Sequence, residues 1–233
     1  MSEKKNYLTI EKLNQIPWLV HGFGLAGFEV SQLKKEPSLK SFYPVELSQQ
    51  HSAKVFFIKK ILSSKLVGDG LITAAPGLLL LIKTADCLPV LLIDLEHQAI
   101  AAVHCGWRGT YQKIIEKTLK QMNKIFGSQP EKILAALGPC VEQNCYEVGP
   151  EVQKAFFRAG FPLDSIFRPA QQVNKFFLDL RAANFWLLTK VIGLPEENIS
   201  QINLCTFCRP ELLSYRRQPL KEERLINFIG IKK

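Results

Sequence analysis

The sequence predicts an α/β protein, one domain over residues 1–233 built around a buried, mostly mixed sheet. Three observations predict it. Apolar runs of strand length recur at 78–82, 89–93, 99–103 and 133–137. Amphipathic segments of helical periodicity alternate with them beyond residue 110. Gly127, Gly160 and Gly193 close those segments, as glycine does past a helix end. At 233 residues, 47% hydrophobic and with 15 Phe, the chain can bury a large core, and no linker, repeat or low-complexity stretch divides it.

Taken in order, WLVHGFG at 18–24 reads as a short strand ending at glycines, and 28–44 as loop. KVFFI at 54–58 is a strand. GDG at 68–70 is a turn where backbone can pass close to a ligand. The runs 78–82 and 89–93 are strands joined through TADC, and AIAAV at 99–103 is a strand with His104 at its C-terminal end. A helix runs from Thr110: Ile114, Ile115, Leu119, Met122 and Phe126 share one face, while Lys113, Glu116, Lys117, Lys120 and Lys124 face water. Strand 133–137, helices over 151–159 and 182–192, and a short strand in LINFIGI complete the chain.

Composition narrows the function classes. The net charge of +9 is spread along the chain as a solvated face, which fits an anionic small molecule better than nucleic acid. The opening residues are charged at once, which reads as no secretory leader. The most apolar stretch is interrupted by Lys83 and Asp86, so no membrane span is expected. Six cysteines make no disulfide scaffold. They are expected reduced, buried or metal-bound in a cytoplasmic protein, a monomer or weak homo-oligomer. No Rossmann or P-loop glycine signature occurs in its strand–turn–helix setting, and G-x-S-x-G and H-E-x-x-H are absent.

Two imidazoles and a thiolate, His51, Cys87 and His104, are the ligand types of a catalytic zinc site that keeps a position open. Their irregular spacing excludes a finger or ribbon, so they must converge by folding. The plain alternatives are a histidine packed under Trp107, a buried cysteine and a surface histidine. Asp86, beside Cys87 at a break between apolar runs, is placed to orient His51 or His104 through the second ring nitrogen. Arg108, in the glycine-bracketed turn C-G-W-R-G, offers a fork for phosphate or carboxylate near a helix start. Tyr215 and Arg216 suit stacking and an oxyanion, or a capped turn. Asp69 and Asp86 are proton-shuttle candidates on position alone, or turn caps. His97 reads as solvated. Cys205 and Cys208 form C-T-F-C, but Cys140 and Cys145 are spaced differently, which argues against a four-cysteine site.

DGLIT at 69–73, TADCLPVLL at 84–92, HCGWRGT at 104–110, LGPCVEQNCYEV at 137–148, LDL at 178–180, and LCT with LSYRR at 204–217 together carry a resemblance. The chain resembles, almost end to end, the bacterial multicopper-polyphenol-oxidase-like family, also described as purine nucleoside phosphorylases and as a peptidoglycan editing factor. That resemblance implies an α/β sandwich similar in part to a deamidating-toxin domain. It also implies active-site zinc on His51, Cys87 and His104, phosphorolysis of adenosine, inosine, guanosine and methylthioadenosine, and deamination of adenosine. The chain departs from the family pattern at Ala26, where an arginine is usual, in a shortened 27–51 segment, and at Glu222-Glu223-Arg224, where Arg224 keeps an arginine without the turn glycine. Ala26 predicts that phosphorolysis is weakened more than deamination. Copper is disfavoured: four histidines are far too few for several coppers, and the only axial methionines available are Met1 and Met122.

The expected catalytic set is therefore His51, Cys87, His104, Arg108 and Asp86. Asp69, Trp107, Tyr215, Arg216 and Arg224 are expected on purine nucleoside and phosphate. Two other readings stand beside it: a hydrolase editing UDP-linked muropeptides with Cys87 as nucleophile and His104 as base, and a structural zinc site closed by Cys105 or Cys205.

Overall fold

The computed structural model describes residues 6–61 and 64–233; Met1 lies outside them. Its core is two mixed sheets face to face. One has six strands, in the order Ile199–Gln201, Ile133–Leu137, Leu88–Asp94, Ala99–Cys105, Gly70–Thr73 and Val55–Phe57. The other has five: Tyr7–Leu8, Leu19–Gly24, Leu225–Ile231, Leu78–Thr84 and Tyr43–Val45. In the first sheet the inner pairs are antiparallel and both outermost pairs parallel.

Strand alternation explains why the central runs are apolar throughout. In Leu88–Asp94, Leu88, Val90 and Leu92 face the helices, while Leu91 and Ile93 face the second sheet. Ala99–Cys105 divides the same way, with Val103 and Cys105 toward the helices and Ile100 and Ala102 toward the other sheet. Helix Ile114–Phe126 covers the outer face with Ile115, Leu119 and Met122, joined by Val152 and Phe156 of Pro150–Arg158. The outer face of the five-stranded sheet is sealed by Phe28, Leu33, Leu39 and Phe42, so the segment read as loop is a packed cover. Among the described residues no helix is long and apolar enough to cross a membrane.

Several expectations are corrected. The buried sheet is two sheets, because an apolar run reveals that a strand is buried but not which ladder it joins. The helix expected from Thr110 is two, Trp107–Tyr111 and Ile114–Phe126, separated where Lys113 takes a left-handed φ of 59°. The helix read over 182–192 starts earlier, at Leu180, where the Asp179 carboxylate accepts the Ala182 N–H at 2.8 Å, and it runs into a π-turn over Leu187–Val191. His97 is exposed, as read from the sequence, and its Nδ1 also lies 2.9 Å from Asp94 Oδ2, in a turn whose Glu96 and His97 N–H groups bond Asp94. His21 accepts the Ile10 N–H at 2.9 Å inside the second sheet, away from the other histidines.

Leu91 is fully buried between the sheets. Leu91→Ala is expected to cost about 2–5 kcal/mol, read from denaturant unfolding, whereas Leu91→Met should cost less than about 1.5 kcal/mol.

Candidate active site

Three separate pieces of chain meet at one end of the sandwich. His104 is the penultimate residue of Ala99–Cys105, Cys87 lies in the turn between Leu78–Thr84 and Leu88–Asp94, and His51 lies in the coil before Val55–Phe57. Their ligand atoms all lie within 4.8 Å of one another, and the two imidazole rings stand 4.9 Å apart at 73°. His104 is buried, Cys87 half-buried and His51 exposed, so the group opens to solvent on one side.

Asp69 assembles this group. Its carboxylate is fully buried and accepts five hydrogen bonds, from Gln50 N, His51 N, Ser52 N, Ser52 Oγ and His104 Nδ1, at 2.7–3.3 Å. Because the carboxylate can only accept, His104 Nδ1 carries its proton and Nε2 is left for the metal side. Burial alone would raise the Asp69 pKa; the His104 and Ser52 hydrogen bonds outweigh it and hold it at about 2. The same carboxylate fixes the His51 backbone, which sits at a left-handed φ of 57°. Asp86, next to Cys87, has φ 85°, so both ligand-bearing turns hold backbone that L-residues rarely adopt.

The fit to a metal shows at Gly106. A Cβ built there would lie 2.9 Å from His51 Cδ2 and 3.0 Å from Cys87 Sγ, so only glycine leaves the ligand set its space. Two nitrogens and one sulfur suit zinc. In the bare protein, burial would push the Cys87 thiol up, but the His104 and His51 rings overcome this and bring it to about 6. Burial would lower His104, yet Cys87 and then Asp69 raise it to about 9. Each group thus favours the charged form of the other, and a metal held by Cys87 and His104 Nε2 would have to displace the proton bound there.

The group forms the floor of a cleft of about 880 Å³. Trp107, Arg108, Tyr215, Arg216 and Arg224 line it. The Arg108 guanidinium lies 4.3 Å over the Trp107 ring. Glu116, its nearest candidate partner by sequence, pairs with Lys120 instead. Arg216 stacks over Tyr146, and its Nη2 donates to Glu147 O at 2.8 Å. Arg217 points away and donates to Thr206 O and Phe207 O, tying the tail together.

Two acids do other work than the sequence predicts. Asp86 lines the cleft but orients neither histidine; its carboxylate accepts Thr206 Oγ1 and Arg216 N, both at 2.7 Å. Asp69 is wholly buried and is not among the residues lining the cleft; it does the orienting expected of Asp86. Each carboxylate oxygen of both acids already accepts at least one hydrogen bond. Tyr146, Lys83 and Gln49 also line the cleft and were missed. Tyr146 stood inside the LGPCVEQNCYEV motif, but no spacing marked it. Gln49 acts through its amide, which exchanges hydrogen bonds with the Lys83 backbone at 2.8 and 2.9 Å as a strand would.

Neither proposed closing ligand reaches the triad. Cys105, one residue beyond His104, is buried in the helix-side core. Cys205 lies instead with Cys145 and Cys208, a second group whose sulfurs are within 4.8 Å of one another.

A family model described as multi-copper polyphenol oxidoreductase laccase matches residues 30–232. The chain belongs to this family. Among its relatives, a purine nucleoside phosphorylase of Bacteroides thetaiotaomicron is 40% identical over 166 residues, 71% of this chain and 61% of that protein. Adenosine deaminase RL5, from an unknown prokaryotic organism, is 37% identical over 164 residues, 70% of this chain and 61% of its own length. The match thus spans about three fifths of these curated relatives. The crystal structure of the Bacillus licheniformis hypothetical protein YfiH has a TM-score of 0.88 over 99% of this chain and 98% of that one at 24% identity, which shows the shared fold.

Asp69 sets an acid-side stability. Its pKa falls on folding from 3.8 to about 2, so the stabilisation is complete above pH 3.8 and is lost as pH drops through that interval. Asp69→Asn is expected to lose about 2 kcal/mol at pH 7 and to flatten the acid limb of unfolding curves. An acid limb as steep as that of the unmodified chain would show that another carboxylate supplies it.

Proposed function

We propose that this chain is a zinc-dependent purine nucleoside phosphorylase with adenosine deaminase activity. The observation that carries this reading is an open set of three ligands, His51, Cys87 and His104, on the floor of a cleft walled by aromatic rings and cations. The names borne by the two relatives point to the same chemistry. Zinc suits the ligand set better than copper, since Met122 is buried on helix Ile114–Phe126 and offers no axial ligand.

The residues divide the work by chemistry. Trp107, Tyr146 and Tyr215 supply aromatic surface in the cleft for a purine. Arg108, Arg216, Arg224 and Lys83 supply positive charge for a phosphate. A cleft of about 880 Å³ has room for a nucleoside and phosphate together. Zinc, when bound, supplies Lewis-acid polarisation of a substrate oxygen or of water. Asp69 keeps His104 Nε2 turned toward Cys87 throughout. In phosphorolysis a phosphate oxygen bonds the anomeric carbon as the bond to the purine nitrogen breaks. In deamination water adds at C6 and ammonia leaves. Ala26 lies in an exposed turn, its N–H on Glu211 O, outside the cleft lining, and the arginine absent there is expected to weaken phosphorolysis more than deamination.

One observation favours a second reading. Asp69, His104 and Cys87 are connected as acid, base and thiol, which is the connectivity of a thiol hydrolase and suits editing of a UDP-linked muropeptide. Sensitivity to metal removal separates the two.

Incubated with adenosine, the zinc-loaded protein is expected to give adenine when phosphate is present and inosine when it is not. Chromatography separates the products, and both should vanish on chelation and in Cys87→Ala. Turnover that survives complete chelation would support the thiol hydrolase, and no turnover of any purine nucleoside would defeat the first reading.

Arg108→Ala is expected to lower kcat/KM about 30-fold with zinc retained, from loss of a charge partner worth about 2 kcal/mol. Turnover within about twofold of the unmodified chain would place Arg108 outside the reaction.

A further inference from the structure

The thiols away from the cleft form their own group. Cys205 and Cys208 flank the C-T-F-C turn, and Cys145 ends the short 3-10 turn Gln143–Cys145. A parallel bridge between Cys140 and Cys205 and the Thr206 N–H bond to Cys140 O at 3.0 Å lay these distant segments side by side. The three sulfurs fall within 4.8 Å of one another, Cys145 and Cys208 at 3.4 Å. A tetrahedral zinc with bonds of about 2.3 Å holds its sulfurs roughly 3.8 Å apart, so no pair in the set, at its upper limit of 4.8 Å, is more than about 1 Å wider than that spacing. The Cys205 sulfur also accepts the Glu142 N–H at 3.4 Å, and the N–H groups of Phe207 and Cys208 bond to it. Several backbone donors on one sulfur suit a thiolate that stays a ligand. Burial is graded from Cys205, through Cys145, to exposed Cys208, which gives an ion a way in. Cys140 stays outside the group, buried with the Arg181 guanidinium 3.4 Å from its sulfur.

We propose that Cys145, Cys205 and Cys208 form a second metal site, a three-thiolate site for a thiophilic divalent cation of the zinc class, with its fourth position toward solvent. Its place in the fold gives it a task. Cys145 precedes Tyr146 of the cleft wall, and Cys205 precedes Thr206, which shares the Asp86 carboxylate with the backbone of Arg216. An ion here staples the two segments that carry Tyr146 and Arg216. The C-x-x-C turn supplies two ligands, and the missing second pair is replaced by a single cysteine brought in by the fold.

The assignment is independent of the reaction in the cleft, and zinc itself is the probe. The full chain, loaded with zinc under a reducing agent and desalted, is expected to hold two ions. Cys87→Ala and Cys208→Ser should each hold one, and the double variant none. With cobalt in place of zinc, the Cys87→Ala chain should keep sulfur-to-cobalt charge-transfer absorption, and Cys145→Ser added to it should remove that band. Because Cys208 is exposed, Cys208→Ser leaves the core untouched, and an unchanged circular dichroism spectrum checks this. No zinc in Cys87→Ala, two in Cys208→Ser, or a Cys145–Cys208 disulfide that persists in reductant with excess zinc would each overturn the assignment.

Discussion

The site depends on one buried carboxylate. Asp69 is the point at which the coil carrying His51 and the strand carrying His104 are joined, and every donor it accepts comes from one of those two pieces. A fully buried charge is costly unless hydrogen bonds replace its water, and here five do so. The glycines on either side let the Asp69 turn sit close beneath its neighbours: a Cβ on Gly68 would meet Phe56 at 2.7 Å, and one on Gly70 would meet Val55 at 2.9 Å. The GDG turn is thus a support for the ligand set.

Asp86 plays the matching part on the opposite wall. Its main-chain oxygen accepts the Val141 N–H at 3.0 Å, and its carboxylate gathers Thr206 and Arg216, so one residue beside Cys87 anchors both segments behind the cleft. The left-handed backbone at His51 and at Asp86 is held by these carboxylate contacts, which offset its strain. Arg217 completes the wall by capping carbonyls of the C-T-F-C turn, leaving Arg216 to face the cleft. Adjacent arginines therefore have opposite tasks, one in the fold and one at the site.

The sandwich supplies rigidity for this arrangement. His104 and Cys87 stand at the ends of central strands whose residues are buried on both faces, so the candidate ligand set rests on the packed core of the sandwich. The aromatic and cationic walls come from surface segments, where shape can vary without disturbing the ligands. Cys105 shows how strictly the pleat sorts chemistry: one residue past His104, it points into the apolar helix-side core, where burial pushes its thiol well above the ordinary range.

The sequence by itself determined the buried strands, the apolar helix faces, the glycine ends at Gly127, Gly160 and Gly193, and the ligand types in His51, Cys87 and His104. These are local properties, carried by periodicity, by the freedom of glycine at positive φ, and by side-chain chemistry. Only the tertiary structure decided which strands share a sheet, since burial does not encode a ladder partner. It also decided that Asp69 and not Asp86 orients His104, because that depends on which turn lies beneath the ring across 35 residues of chain. Tyr146, Lys83 and Gln49 join the cleft for the same reason, and so does the grouping of Cys145 with Cys205 and Cys208. Spacing in the chain is silent about contacts made across a sandwich, where the distance that matters is set by packing.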